Sequence, residues 1–182
     1  MFVRRDNEHT WLAATDLVFI DPVNTGYSRP APGEDAKLLA KQAMLFEEFL
    51  AKEIDAGRFA PKMAPIAEKA LLHGHCHQKS FAVMGPVQKV LSAVPGLKVE
   101  LIESSCCGMA GSFGYQSETV DVSLAMAELS LLPAVRKAPA DAIIVADGTS
   151  CRSQIEDGAK RQAIHVAAVL AKSMAAAAST AS

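Results

Sequence analysis

The residues of this chain most able to do chemistry are its four cysteines, Cys76, Cys106, Cys107 and Cys151. Cys106 and Cys107 are adjacent, and adjacent cysteines rarely pair with each other because the disulfide ring strains the peptide between them. Thiolates instead bind zinc or the iron of iron–sulfur clusters, and separated thiols can exchange disulfides. The chemistry therefore depends on whether the fold brings these four side chains together.

Glycines follow the cysteine pair at short intervals, at positions 108, 111 and 114. Glycine lets the backbone pass close to a bulky inorganic centre, and it leaves N–H groups free to donate to cluster sulfurs. We therefore predict that Gly108 and Gly111 line a bound cofactor. Arg152 adjoins Cys151, where its guanidinium could stabilise negative charge on a cluster or a substrate.

Three histidines, His73, His75 and His77, surround Cys76. On an extended segment alternate residues share a face, so the spacing predicts three imidazoles on one face and the Cys76 thiol on the other. His75 and His77 are the candidates for acid–base chemistry or for hydrogen bonds that support metal ligands.

The elements that must position these residues alternate along the chain. The pattern predicts strands over 16–21, 69–75, 96–104 and 141–148, and helices over 34–57, 80–94, 117–138, 150–160 and 163–174. The last of these helices could begin with a brief strand. This alternation predicts a Rossmann-like α/β fold, with a mostly parallel sheet and helices on both faces. Each cysteine follows a predicted strand, so all four should meet at the carboxyl edge of the sheet.

The composition excludes several classes of function. The chain has 182 residues and a formal net charge of −2, which suits one domain and does not favour nucleic acid. No apolar stretch has the length of a membrane span, and the N-terminus lacks the apolar run of a signal peptide. These features predict a cytoplasmic protein, whose cysteines serve as ligands or nucleophiles and not as disulfides.

The residues alone leave three interpretations open. Four thiols at one sheet edge could hold an iron–sulfur cluster, or they could hold zinc in a structural module that joins partner subunits. A thiol redox domain without metal is the third interpretation, in which Cys106 or Cys107 would react with Cys76 or Cys151.

The stretches "HGHCHQKS", "ESSCCGMAGSFGY" and "VADGTSC" together resemble the cysteine-rich CCG domain. This domain occurs in the iron–sulfur subunit of glycolate oxidase and in one of the subunits of heterodisulfide reductase. The resemblance looks closest to the C-terminal region of FAD-linked D-2-hydroxy-acid dehydrogenases, and it covers roughly residues 34–174. It implies that the four cysteines ligate a [4Fe–4S] cluster, which passes electrons from a reduced flavin to a quinone or another carrier.

The chain departs from this family at two points. Gln154 stands where the fuller pattern has a second cysteine after Cys151, so the chain offers four thiolates and not five. Four thiolates suit a cubane [4Fe–4S] cluster, and zinc is the alternative with the same ligands. The chain also has no ferredoxin-type cysteine run and no recognisable flavin-binding region. The resemblance therefore implies a flavoprotein partner that carries FAD, a ferredoxin-type partner domain, and contact with a quinone-reducing system at the inner face of the membrane.

The N-terminal segment differs from the rest of the chain. Residues 11–36 resemble a stretch of bacterial serine carboxypeptidases, but the chain has no G-x-S-x-G nucleophile motif, so hydrolysis is not predicted. We expect three parts: an atypical segment over 1–33, a CCG-type iron–sulfur domain over 34–174, and a disordered tail over 175–182.

Overall fold

A four-stranded parallel sheet forms the centre of the fold. The computed structural model describes residues 43–104 and 106–180, so the strand predicted over 16–21 and the segment 1–33 lie outside the described residues. The strands are β1 (Lys69–His73), β2 (Lys98–Leu101), β3 (Ile143–Ala146) and β4 (Ala163–Ile164), in the spatial order β2-β1-β3-β4. All three neighbouring pairs are parallel.

Seven helices connect or flank these strands in the described part of the chain. They are α1 (Phe46–Asp55), α2 (Cys76–Ser80), α3 (Met84–Ser92), α4 (Val120–Glu128), α5 (Leu131–Lys137), α6 (Thr149–Ala159) and α7 (Val166–Ser179). A short 3-10 helix spans Phe113–Tyr115. The predicted Rossmann-like α/β fold is confirmed.

Two hydrophobic layers cover the two faces of the sheet, because side chains alternate along a strand. Leu72 faces the layer that also contains residues of α1, α3 and α7, whereas Leu71 faces the layer built from α5 and α6. Cys107 and Cys151 belong to the second layer. Helices therefore lie on both faces, and the buried thiols lie on the face of α5 and α6.

Several helix boundaries differ from the sequence prediction, and two of the differences have a clear physical cause. The helix predicted over 117–138 is divided into α4 and α5, and Pro133 lies in the first turn of α5, where its missing N–H breaks no helical hydrogen bond. Helix α7 continues to Ser179 through residues that we expected in a disordered tail, because alanine has the highest helix propensity. None of the described helices is long and apolar enough to cross a membrane.

The strand order reverses at one point of the sheet. After β1 the chain moves outward to β2, and it then crosses back to β3 on the other side of β1. Ligands of open α/β sheets bind where the strand order reverses, beyond the carboxyl ends of the strands. The segments that follow β1 and β3 border this point, and the last residues of these strands, His73 and Ala146, are paired in register.

Candidate metal centre

The three segments that follow β1, β2 and β3 carry the four cysteines. Cys76 is the first residue of α2, Cys106 and Cys107 lie in the loop after β2, and Cys151 lies in the first turn of α6. Cys107 and Cys151 are buried, while Cys76 and Cys106 are partly exposed, and none of the four forms a disulfide. The site therefore has two buried sulfurs and two sulfurs nearer to the solvent.

The thiols interact as two pairs. Cys76 hydrogen-bonds Cys106, and burial together with this bond raises the pKa of Cys76. The Cys151 thiol donates to Cys107, and this bond, together with the nearby His73 side chain and the Met109 backbone N–H, lowers the pKa of Cys107 to about 4. The same bond raises the pKa of Cys151, which also interacts electrostatically with Cys76 and Cys106. The two pairs thus lie close enough for their sulfurs to interact electrostatically.

Backbone N–H groups of the loop after β2 point at its sulfurs. The N–H of Gly108 donates to the Cys106 sulfur at 3.3 Å, and the N–H of Met109 donates to Cys107. Gly108 has φ +90°, and a Cβ at this position would collide with the carbonyl oxygen of Ser123. Only glycine fits here without displacement of the loop.

Gly111 shares a positive φ, +65°, but its surroundings differ. It is exposed, and a Cβ at this position would meet no atom within 4 Å. The described residues therefore place Gly108 beside the thiols, whereas Gly111 forms an open turn of the same loop. The prediction that both glycines line a cofactor stays a prediction.

The arrangement of the three histidines differs from the extended segment that we expected. β1 ends at His73 and α2 begins at Cys76, so the imidazoles do not share one face. His75 caps α2 by accepting the N–H of His77, and its ring packs over Gly148 next to Cys151. Burial lowers the pKa of His75. His77 is exposed and contacts the His75 ring edge-on, with 5.0 Å between ring centroids.

His73, which was not among our candidate site residues, lies close to both buried thiols. Its side chain has no exposed surface, and a ring nitrogen lies within 4.8 Å of the sulfurs of Cys107 and Cys151. The strand pattern contained a signal for this position, because His73 follows Leu71 by two residues and must share its face. That face carries Cys107 and Cys151.

Arg152 does not point its charge into the thiol group. Its guanidinium donates to the carbonyl oxygens of Ala146 and Asp147, at 3.1 and 2.7 Å, and to the Thr149 hydroxyl at 3.1 Å. These bonds join the end of β3 to the start of α6 and so hold the segment that carries Cys151. The predicted contact of Arg152 with a cofactor stays a prediction.

Gln154 is a second residue that sequence reasoning did not assign to the site. It is buried, and its amide nitrogen donates to the carbonyl oxygen of Cys107 at 3.0 Å. It also contacts the carbonyl and hydroxyl oxygens of Ser123, both at 3.2 Å. One side chain of α6 therefore fixes the cysteine loop and the start of α4.

A second polar group lies beyond the ends of β3 and β4. Asp147 accepts the N–H of Val166 at 2.9 Å and the side-chain amide of Gln78 at 2.7 Å. It thereby ties the helix of Cys76 to the first turn of α7. The Glu47 carboxylate is buried beside Asp147 and His165, and this burial raises the pKa of Glu47.

The chemistry of the thiol group fits a bound metal or an iron–sulfur cluster. Four thiols converge, two backbone N–H groups point at their sulfurs, and the buried Nε2 of His73 has no hydrogen-bond partner of standard geometry among the described residues. A buried nitrogen without a partner is costly, and a sulfur-rich metal centre would supply one. Cys76, Cys106, Cys107 and Cys151 are the residues that could hold it.

Comparison with known proteins gives the chain a set of relatives. It is 28% identical over 141 residues to a subunit of anaerobic glycerol-3-phosphate dehydrogenase from Escherichia coli K12, a match that covers 78% of this chain and 35% of that protein. It is 32% identical over 114 residues to D-2-hydroxyglutarate dehydrogenase of the same strain, covering 62% and 11%. The enzyme of that name from Pantoea ananatis is 37% identical over 87 residues, covering 47% and 8%.

The chain is homologous to parts of dehydrogenases. It spans about a third of the glycerol-3-phosphate dehydrogenase subunit and about a tenth of the D-2-hydroxyglutarate dehydrogenases. No family model and no solved structure matches it. The homology supports a role associated with an oxidoreductase and agrees with the resemblance noted in the sequence.

Proposed function

We propose that this chain is an iron–sulfur electron-transfer domain or subunit of a flavin-linked dehydrogenase, with Cys76, Cys106, Cys107 and Cys151 as cluster ligands. The observation that carries the proposal is the convergence of all four cysteines of the chain at the carboxyl edge of one parallel sheet. Four thiolates are the ligand set of a [4Fe–4S] cluster, which when bound supplies one-electron transfer.

The relatives support the oxidoreductase side of the proposal. The two named substrates, glycerol 3-phosphate and D-2-hydroxyglutarate, each carry a secondary hydroxyl group. We propose that the partner of this chain oxidises a hydroxyl group of its substrate. The class that the sequence resemblance implies is a 2-hydroxy acid such as glycolate, D-lactate or D-2-hydroxyglutarate. The FAD and a ferredoxin-type centre would lie on partner domains or subunits.

The residues around the thiols have separable roles in this proposal. The N–H groups of Gly108 and Met109 would stabilise negative charge on the sulfurs of Cys106 and Cys107. Gln154 holds the loop of Cys107 against α6 and thus fixes the distance between Cys107 and Cys151. The burial of these two sulfurs limits the access of water to their side of the centre.

His75 and His77 remain proposed acid–base groups at the exposed side of the centre. His77 is exposed, and the His75 ring lies between it and Gly148. An acceptor that takes up protons with electrons, such as a quinone, would meet these imidazoles first. We propose accordingly that the acceptor approaches beside α2, on the inner side of the membrane or in the cytoplasm.

A spectroscopic experiment tests the proposal. The chain is purified without oxygen, reconstituted with iron and sulfide, and reduced with dithionite. We expect an electron paramagnetic resonance signal from a reduced cluster that disappears on oxidation by a quinone analogue. Absence of any paramagnetic signal after reconstitution and reduction would contradict electron transfer through a cluster.

A zinc-binding docking module is the second candidate. The observation that favours it is the group of His73, Cys107 and Cys151, whose ligand atoms all lie within 4.8 Å of one another. A nitrogen and two sulfurs at this spacing match three positions of a tetrahedral zinc site. Tight binding of one zinc by a protein that does not assemble a cluster would favour this candidate.

A further inference from the structure

The environment of the His73 side chain has one feature that the proposed function does not use. His73 is fully buried at the end of β1, and its Nδ1 lies 2.7 Å from the hydroxyl oxygen of Ser104. Its Nε2 is the buried side-chain atom without a hydrogen-bond partner among the described residues. Nδ1 therefore has a hydrogen-bond partner, whereas Nε2 has no oxygen or nitrogen partner among the described residues.

The neighbouring lysine favours one direction of the hydrogen bond between Ser104 and His73. The ammonium group of Lys79 donates to the Ser104 carbonyl oxygen and lies 3.5 Å from the Ser104 hydroxyl oxygen. An ammonium group has no lone pair and can only donate, so it occupies an acceptor position of the hydroxyl and leaves the hydroxyl hydrogen for another partner. When this hydrogen is donated to Nδ1 of His73, the neutral imidazole carries its proton on Nε2.

Sulfur atoms lie close to the His73 ring and are the candidate acceptors for a proton on Nε2. A ring nitrogen of His73 and the sulfurs of Cys107 and Cys151 lie within 4.8 Å of one another, and His73 interacts with the Cys107 thiol. An N–H donor stabilises a thiolate, and the sulfur with which His73 interacts is that of Cys107. Cys107, which accepts from Cys151, is therefore the acceptor that the geometry favours.

We propose that His73 is a hydrogen-bond donor to the Cys107 sulfur of the bound centre, oriented by Ser104 and Lys79. This inference rests on the proposed metal centre and gives His73 a tuning role, not the role of a ligand. Hydrogen bonds to sulfur stabilise the more negative, reduced state, so the donor raises the reduction potential of a bound cluster. Ligation by His73 would require the opposite tautomer, with an unprotonated Nε2.

The tautomer is tested on the full chain without a cluster. Nitrogen-15 histidine resonances of the metal-free or zinc-loaded protein distinguish the two ring nitrogens. We expect a protonated Nε2 and an unprotonated Nδ1 for His73, and a change of this pattern in the variant Ser104→Ala. An unprotonated Nε2 would overturn the proposal whether or not the protein assembles a cluster.

The effect on the centre is tested with His73→Phe and the matched control Gln116→Phe, whose site is exposed and has no part in the centre. We expect His73→Phe to retain its iron and sulfide and to have a more negative midpoint potential, whereas the control has the potential of the wild type. If His73→Phe does not fold, Ser104→Ala serves instead, with a smaller shift in the same direction.

Two results of the second experiment would overturn the inference while the proposed function stands. One is a cluster-loaded His73→Phe variant with an unchanged potential. The other is a directly bonded histidine nitrogen, seen as a strong nitrogen hyperfine coupling in the reduced wild type and lost in His73→Phe. Failure of the wild type to assemble a cluster would instead contradict the proposed function, and the tautomer measurement would still decide the inference.

Discussion

Gln154 and Cys107, which are 47 residues apart, are joined by a hydrogen bond of 3.0 Å from the glutamine amide to the cysteine carbonyl oxygen. The bond is buried, and the same amide reaches both oxygens of Ser123. A buried bond of this kind is costly to leave unmade, because the acceptor loses both its partner and its water. Gln154 therefore joins α6 to the cysteine loop and stabilises the position of the loop.

The variant Gln154→Met tests how much the hydrogen bonds of Gln154 stabilise the fold. Methionine has a similar volume but no amide, so the carbonyl oxygen of Cys107 loses a donor. We expect the free energy of unfolding to fall by about 1–3 kcal/mol, measured by urea denaturation. The exposed Gln116→Met is the control and should change stability by less than about 0.5 kcal/mol. Equal effects of the two substitutions would contradict this stabilising role of Gln154.

Gly108 and Gly111 provide a matched pair of substitutions in one loop. Both have positive φ, but only at Gly108 would a Cβ collide with a backbone oxygen, that of Ser123. We expect Gly111→Ala to cost about 1 kcal/mol from backbone strain alone. Gly108→Ala should cost at least about 3 kcal/mol and should also reduce metal binding, since the loop must move. Denaturation curves and metal analysis of both variants provide the measurement, and similar losses would show that the contact with Ser123 is unimportant.

The buried carboxyl group of Glu47 should make the stability of the protein depend on pH. Burial raises the pKa of the Glu47 carboxyl in the folded protein. As the pH rises, the unfolded chain therefore loses this proton at a lower pH than the folded protein does. The stabilisation by the protonated carboxyl is complete below the pKa of the unfolded chain and is lost as the pH rises through the folded pKa. We expect the stability of Glu47→Gln, relative to wild type, to increase over that interval by about 1 kcal/mol. Thermal unfolding between pH 4 and pH 8 measures it, and parallel profiles would refute this effect of burial.

Cys107→Ser tests the ligand set directly. A serine hydroxyl is a poor ligand for iron or zinc, so the variant should lose most of its bound metal, and it should lose stability because metal binding is coupled to folding. Ser112→Ala, at an exposed position of the same loop, is the control and should keep its metal. Unchanged metal content in Cys107→Ser would remove this cysteine from the ligands.

The placement of the cysteines was predictable from sequence, because strand alternation and the order of elements determine which loops share a sheet edge. The segments that carry Cys76, Cys107 and Cys151 illustrate this, each following a strand of the observed sheet. The roles of the histidines were not predictable in the same way. They depend on whether the strand ends at His73 or continues past Cys76, a boundary that hydrophobic pattern leaves uncertain by several residues.

Gln154 and Arg152 show a second limit of the sequence. Their partners are backbone carbonyl oxygens, of Cys107 for Gln154 and of Ala146 and Asp147 for Arg152. Backbone acceptors occur at every residue, so no pattern of side chains indicates which of them a buried amide or guanidinium will contact. Only the packing of α6 against the cysteine loop and the end of β3 selects them.

The most direct test of the central claim is the content of iron, acid-labile sulfide and zinc in the full chain purified without oxygen. Four thiolates that hold a cubane cluster predict about four irons and four sulfides per chain and no zinc. One zinc per chain without sulfide would contradict the claim and would make the same four thiols the ligands of a structural zinc site.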